Sequence, residues 1–147
     1  MRNPAGAALL AFLAMSIAAC STPPANHWTE VRRLDDGTTE YVDLDSVVKE
    51  EGPAKVWLLY DFASPKAWGA DSFSSLRVQA EFACGPGLSR NVVLTAMTGP
   101  MGQGKVLPNW RNPGPTQVEA VAKGSPEEKV MRAICAPKPP YRLDGAG

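Results

Sequence analysis

Three cysteines, one histidine, two aspartates, a glycine-rich turn, four tryptophans and an arginine pair are the residues that could carry chemistry in this chain. Cys20 ends Ile17-Ala18-Ala19-Cys20, an aliphatic residue and two small ones before a thiol. That is the lipobox pattern: small residues let a peptidase reach the backbone, and the thiol takes a diacylglycerol. Cys84 and Cys135 remain as a pair, and an even pair in an exported chain points to a disulfide. A metal site or a catalytic thiol are the rival readings, but there is no C-x-x-C spacing and no cluster of second ligands. His27 has no partner near it in sequence. Asp43 and Asp45 could act as paired carboxylates or calcium ligands, yet the Gly and Glu of a calcium loop are missing, so turn and capping roles fit better. The glycines of 99–104 lack the Lys-Ser/Thr of a phosphate loop and read as a tight turn. No cofactor pattern and no metal site are found, and catalysis is not expected.

Two further features could recognise a protein. Trp68 lies in Pro65-Lys66-Ala67-Trp68-Gly69, where an exposed indole would suit recognition, unless it folds back over the sheet. Arg32 and Arg33 could meet an acidic partner, with a solvated strand edge as the alternative. Trp57 is expected in the core. Pro137-Lys138-Pro139-Pro140 has P-x-x-P form, but its usual readers do not share the compartment.

Composition narrows the frame. Fifteen basic residues balance fifteen acidic ones in 147, so nucleic acid is not an expected partner. Thirteen Gly and fourteen Pro favour short strands joined by many turns. Residues 1–19 read as a lipoprotein signal peptide, with Arg2 before an apolar run too short to span a membrane. Residues 20–27 form a lipidated tether, 28–136 the folded domain and 137–147 a flexible tail. Ser21 rather than Asp after the lipidated cysteine favours the outer membrane, by resemblance to Gram-negative lipoprotein sorting.

Along the domain, Trp28 to Arg33 and Thr39 to Val42 flank an Asp-Asp-Gly turn and predict a hairpin. Asp43 to Val48 is expected to leave the strand. Lys55 to Phe62 is apolar on both faces and predicts a central strand, followed by a loop from Ala63 to Asp71. Ser75 to Cys84 alternates, placing Leu76, Val78, Ala80, Phe82 and Cys84 on a buried face. Asn91 to Met97 returns as a strand, and Lys105 to Leu107 and Gln117 to Ala122 are short candidates. Ser125-Pro126-Glu127-Glu128 is a capping box, with Val130, Met131, Ile134 and Cys135 on one helical face. The expected fold is α+β: an antiparallel sheet of about six strands, with the C-terminal helix on one face, tied by Cys84 to Cys135.

These pieces resemble the bacterial surface-adhesin protein E family. The resemblance runs through Trp28, Tyr41-Val42-Asp43, Val56-Trp57-Leu58, Ala80-Glu81-Phe82-Ala83-Cys84, Met101-Gly102-Gln103-Gly104, Trp110 and Gly124-Ser125-Pro126-Glu127-Glu128 to Ile134-Cys135. It implies a helix tied to an antiparallel sheet, and adhesion to host surface or matrix proteins. The expected protein is then a non-enzymatic lipoprotein held to the membrane by lipid on Cys20, binding a host matrix or envelope protein, with self-association left open. The alternatives are a housekeeping lipoprotein that binds another envelope component and a small-ligand module using the space between sheet and helix.

Overall fold

The computed structural model describes residues 27–143. The lipobox, Cys20 and most of the tether lie outside them. Six strands form one antiparallel sheet in chain order: β1 (Trp28–Arg33), β2 (Thr39–Val48), β3 (Ala54–Trp68), β4 (Asp71–Ala83), β5 (Leu88–Met97) and β6 (Glu119–Ala120). One helix, α1 (Pro126–Cys135), follows. The chain is therefore mostly β, and α+β describes it only loosely. Lys105 to Leu107 does not form a full strand; Val106 makes a single bridge to Met97.

Alternation decides what α1 covers. Val56 and Leu58 on β3 stand beside Ala80 and Val78 on β4, and these bury with Val42, Phe82, Val130 and Ile134 in one core. The Ser125 hydroxyl caps the helix by accepting from the Glu128 amide at 3.0 Å. The returning half of the capping box differs from expectation. Glu128 Oε2 accepts from Gly124 N at 2.6 Å rather than from Ser125 N, whose amide donates to the Ala122 carbonyl.

One end of the opposite face of the sheet is covered by the loop of 98–104. Ser75, fully buried, donates to the Gly99 carbonyl at 2.7 Å and accepts from Gly102 N at 2.9 Å. Its cross-strand partner Asp61 accepts from Met101 N at 2.5 Å. Gly104 closes the loop with a positive φ, where a Cβ would come within 2.5 Å of the Thr98 hydroxyl. Leu59 is sealed beneath. Trp57, two residues away on the same face, is only half-buried, with the Arg77 guanidinium 5.0 Å above its ring. The apolar run of β3 implied a core tryptophan, but the loop ends before reaching it.

Three sequence expectations fail in the strands. Asp43 to Val48 stays in β2, through an irregularity between Asp43 and Val48. There Asp43 accepts from Asp45 N at 3.1 Å, and Ser46 Oγ substitutes for a backbone acceptor by taking Trp57 N at 2.9 Å. The loop expected from Ala63 to Asp71 is instead paired hairpin, because β3 runs to Trp68 and turns at Gly69 and Ala70 into β4. Pro65 is tolerated because it sits in the bulge between Asp61 and Lys66, beyond the end of β2 pairing. Third, Cys84 is exposed. Paired strand ends at Ala83, opposite Leu88, and alternation does not extend into the turn that follows.

Cys84 and Cys135 are nonetheless bonded, with Cα atoms 5.8 Å apart. The bond joins the end of β4 to the last residue of α1 at the rim of the core. The tail is anchored where it is described: Leu143 packs against the core, and Lys49 reaches both the Ala136 carbonyl and the Tyr141 ring.

Candidate protein-binding surface

The β3–β4 hairpin extends past its neighbours. β2 pairs with β3 only as far as Asp61, and β5 pairs with β4 only from Ser75. Phe62 to Ser74 is therefore an arm projecting from the end of the sheet. The turn of the β1–β2 hairpin braces its base. Gly37 takes a positive φ there, and an added Cβ would stand 2.8 Å from that of Ala63. Lys66 Nζ lies 3.6 Å from Asp36. The Thr38 amide, with help from Lys66, holds the Asp36 carboxyl below its ordinary range.

The arm is aromatic. Phe62 and Phe73 meet edge to face at 5.6 Å, Phe73 lies 5.9 Å from Trp110, and Trp110 stacks at a tilt on Trp68 at 4.9 Å. Trp110 arrives from the Pro-rich loop and is fixed there by donating its indole N–H to the Leu94 carbonyl at 2.8 Å. The same loop shields the outer edge of β5, using Asn112 Oδ1 on Leu94 N and Thr116 Oγ1 on Asn91 N in place of a strand. Trp68 thus packs on one face against Trp110 yet remains 47% exposed. A large apolar ring packed on one side and half in water suits protein recognition.

The two arginines separate. Arg32 Nε lies 2.6 Å from Glu40, and its Nη2 lies 3.0 Å from Glu127. Glu40 is 1% exposed and also accepts from the Tyr60 hydroxyl at 3.2 Å. Burial alone would lower the Arg32 pKa, but Glu40 and Glu127 together leave it raised. Arg32 therefore ties β1 to β2 and α1. Arg33 is largely exposed, 3.8 Å from Glu30, and adjoins the turn that braces the arm. His27 forms a solvent-exposed pair with Asp45 at 2.8 Å.

Sequence reasoning singled out Trp68 without its partners. Phe62, Phe73 and Trp110 are brought together by hairpin pairing and a long loop, and no short-range pattern links them.

An antiparallel sheet carrying one disulfide-tied helix, with an aromatic arm at one end, defines the class of fold. The model of the surface-adhesin protein E family matches residues 28–136, and the chain belongs to that family. Among solved structures, protein E of Haemophilus influenzae shares the fold, with a TM-score of 0.59 at 12% identity over 73% of this chain and 83% of that one. Protein E from non-typeable Haemophilus influenzae gives 0.55 at 11% identity, covering 79% of each chain. Comparison with curated proteins yields no match.

Proposed function

We propose that this protein is a lipid-anchored surface adhesin that binds a host matrix or envelope protein through the aromatic arm. Membership of the adhesin family supports the general reading. The observation that carries the site is the half-exposed Trp68 stacked on Trp110 at the end of a braced hairpin. Arg33 lies at the same end and supplies a cation to the rim of the contact. Ile17-Ala18-Ala19-Cys20 supports attachment through Cys20, with Ser21 favouring the outer membrane.

Intact cells layered on immobilised matrix proteins test the reading, with Trp68→Ala beside the unaltered chain. Binding that Trp68→Ala leaves unchanged would place recognition elsewhere. Fatty-acid labelling of Cys20→Ala tests the anchor, since label persisting in that variant would show attachment at another residue. Protease applied to intact cells separates an outward-facing adhesin, which is digested, from a periplasmic protein, which is spared.

A further inference from the structure

The face of the sheet away from α1 carries Trp57, Arg77, Gln79, Val93 and Thr95 beyond the loop of 98–104, all of them half-buried. Arg77 stands near its middle, on the fourth of six strands. The loop confines its stem, since a Cβ added at Gly102 would lie 3.4 Å from Arg77 Cδ. Its guanidinium leans the other way, 5.0 Å over the Trp57 ring. Arg77 Nε is the one buried side-chain nitrogen or oxygen among the described residues without a hydrogen-bond partner. Arg77 has no ion pair among those residues either. The acidic side chains nearest to it in the sheet register are each held by other donors. Asp61 takes Met101 N, Asp43 takes Asp45 N, and Glu81 is shared by Arg90 at 2.7 Å and Lys55 at 3.8 Å.

Stacking on an indole offsets part of the cost of an unpaired guanidinium and fixes its plane, leaving the two Nη groups for an outside acceptor. Native proteins keep few unsatisfied buried groups, so an orphaned one on an open face points to an acceptor that the chain itself does not supply. Charge selects an anion, and the fork of an arginine matches a carboxylate. Shape selects its carrier: small-molecule sites are concave, whereas this is a sheet surface. A polyanion laid across the strands would meet Asp43 on β2 and Glu30 on β1. We propose that this face docks an extended segment of a partner protein, with one Asp or Glu carboxylate on the Arg77 Nη groups and an apolar neighbour against Trp57 and Val93. Arginine and tryptophan are the types that most often anchor such contacts. The inference does not rest on the aromatic arm, which lies on the far side of the loop of 98–104.

The test is NMR of the full chain in non-ionic detergent, titrated with the peptide acetyl-Leu-Ser-Glu-Ser-Leu-amide and with versions carrying Gln or Lys in place of Glu. The Glu peptide should give saturable shifts at the Trp57 indole N–H, the Arg77 Nε–H and the Gln79 amide. The Gln peptide should bind about two- to fivefold more weakly, the range of an exposed ion pair, and the Lys peptide should leave these signals in place. Rising salt should erase the preference for Glu over Gln. Arg77→Gln should abolish that preference, and Arg77→Lys, which keeps the charge and the length of the stem, should reduce it. Trp68→Ala should leave it unchanged, which separates this face from the arm. Equal shifts from the three peptides, no saturable shift from the Glu peptide, or an undiminished preference in Arg77→Gln would overturn the assignment. So would tighter binding of a heparin octasaccharide at the same signals, which would make the acceptor a sulfated polyanion.

Discussion

The indoles of Trp68 and Trp110 stack with centroids 4.9 Å apart, although one sits at a hairpin tip and the other in a Pro-rich loop. Trp110 is held in turn by donating its indole N–H to the Leu94 carbonyl. If this pair is the anchor of an interface, Trp68→Ala should raise the Kd for the bound protein by roughly 30-fold, the loss typical of a central aromatic contact. Its melting temperature should move little, since half the ring is already in water. Trp110→Ala should weaken binding too, and also loosen the edge of β5. Surface plasmon resonance alongside thermal denaturation separates the two effects. Trp68→Ala that melts early and binds normally would contradict the assignment.

Arg32 should matter more for folding than for binding. Removing it leaves the buried Glu40 carboxylate with only the Tyr60 hydroxyl, and stranding a buried charge costs about 3 kcal/mol or more. Arg32→Ala should therefore lower the urea midpoint clearly, whereas Arg33→Ala, at an exposed site, should change it by less than ~0.5 kcal/mol equivalent. Equal midpoints in the two variants would remove Arg32 from the core network.

The same network predicts an alkaline limit to stability. Burial first, and then the charge of Glu40, push the Tyr60 phenol well above its ordinary value. The folded state therefore keeps a proton that the unfolded chain releases above about pH 10. The contribution is complete below that pH and is lost as pH rises towards the folded value. Tyr60→Phe should flatten the fall in unfolding free energy above about pH 10, measured by urea titration at a series of pH values. An unchanged slope would show that another group sets it.

The crosslink should be reducible without unfolding, because Cys84 is exposed. Closing 51 residues of chain stabilises by ~4 kcal/mol in the loop-entropy description. Reduction, or Cys135→Ser, should lower the melting temperature and raise amide exchange in α1 before it does so in β3 and β4. A ten-residue helix is too short to persist alone and relies on Val130 and Ile134 packing beneath it. Uniform acceleration of exchange across sheet and helix would refute this order of loss.

Much of this was legible from local pattern. Alternation from Leu76 to Phe82 and helical spacing from Val130 to Ile134 each define a buried face, because side-chain direction in a strand or helix is set by backbone period alone. Ser125 and Pro126 mark the start of α1 because the unpaired amides of a first turn need such an acceptor and tolerate such a ring. With two cysteines left after Cys20, the pairing followed once both elements were placed.

Tertiary structure decided the rest. Periodicity ends where pairing ends, so it could not show that Cys84 leaves the buried face or that β3 continues through Pro65 to Trp68. The run of β3 was apolar on both sides, but which side stays covered depended on how far the loop held by Ser75 and Asp61 reaches. Arg32 read as a free surface cation until Glu40 and Glu127 came from two other elements to surround it. The aromatic arm is likewise assembled from residues distant in the chain. Sequence by itself determined which faces must be buried, because that depends on neighbours a few residues apart. Only the folded chain determined which polar and aromatic groups meet, because those distances are set by strand register and loop path.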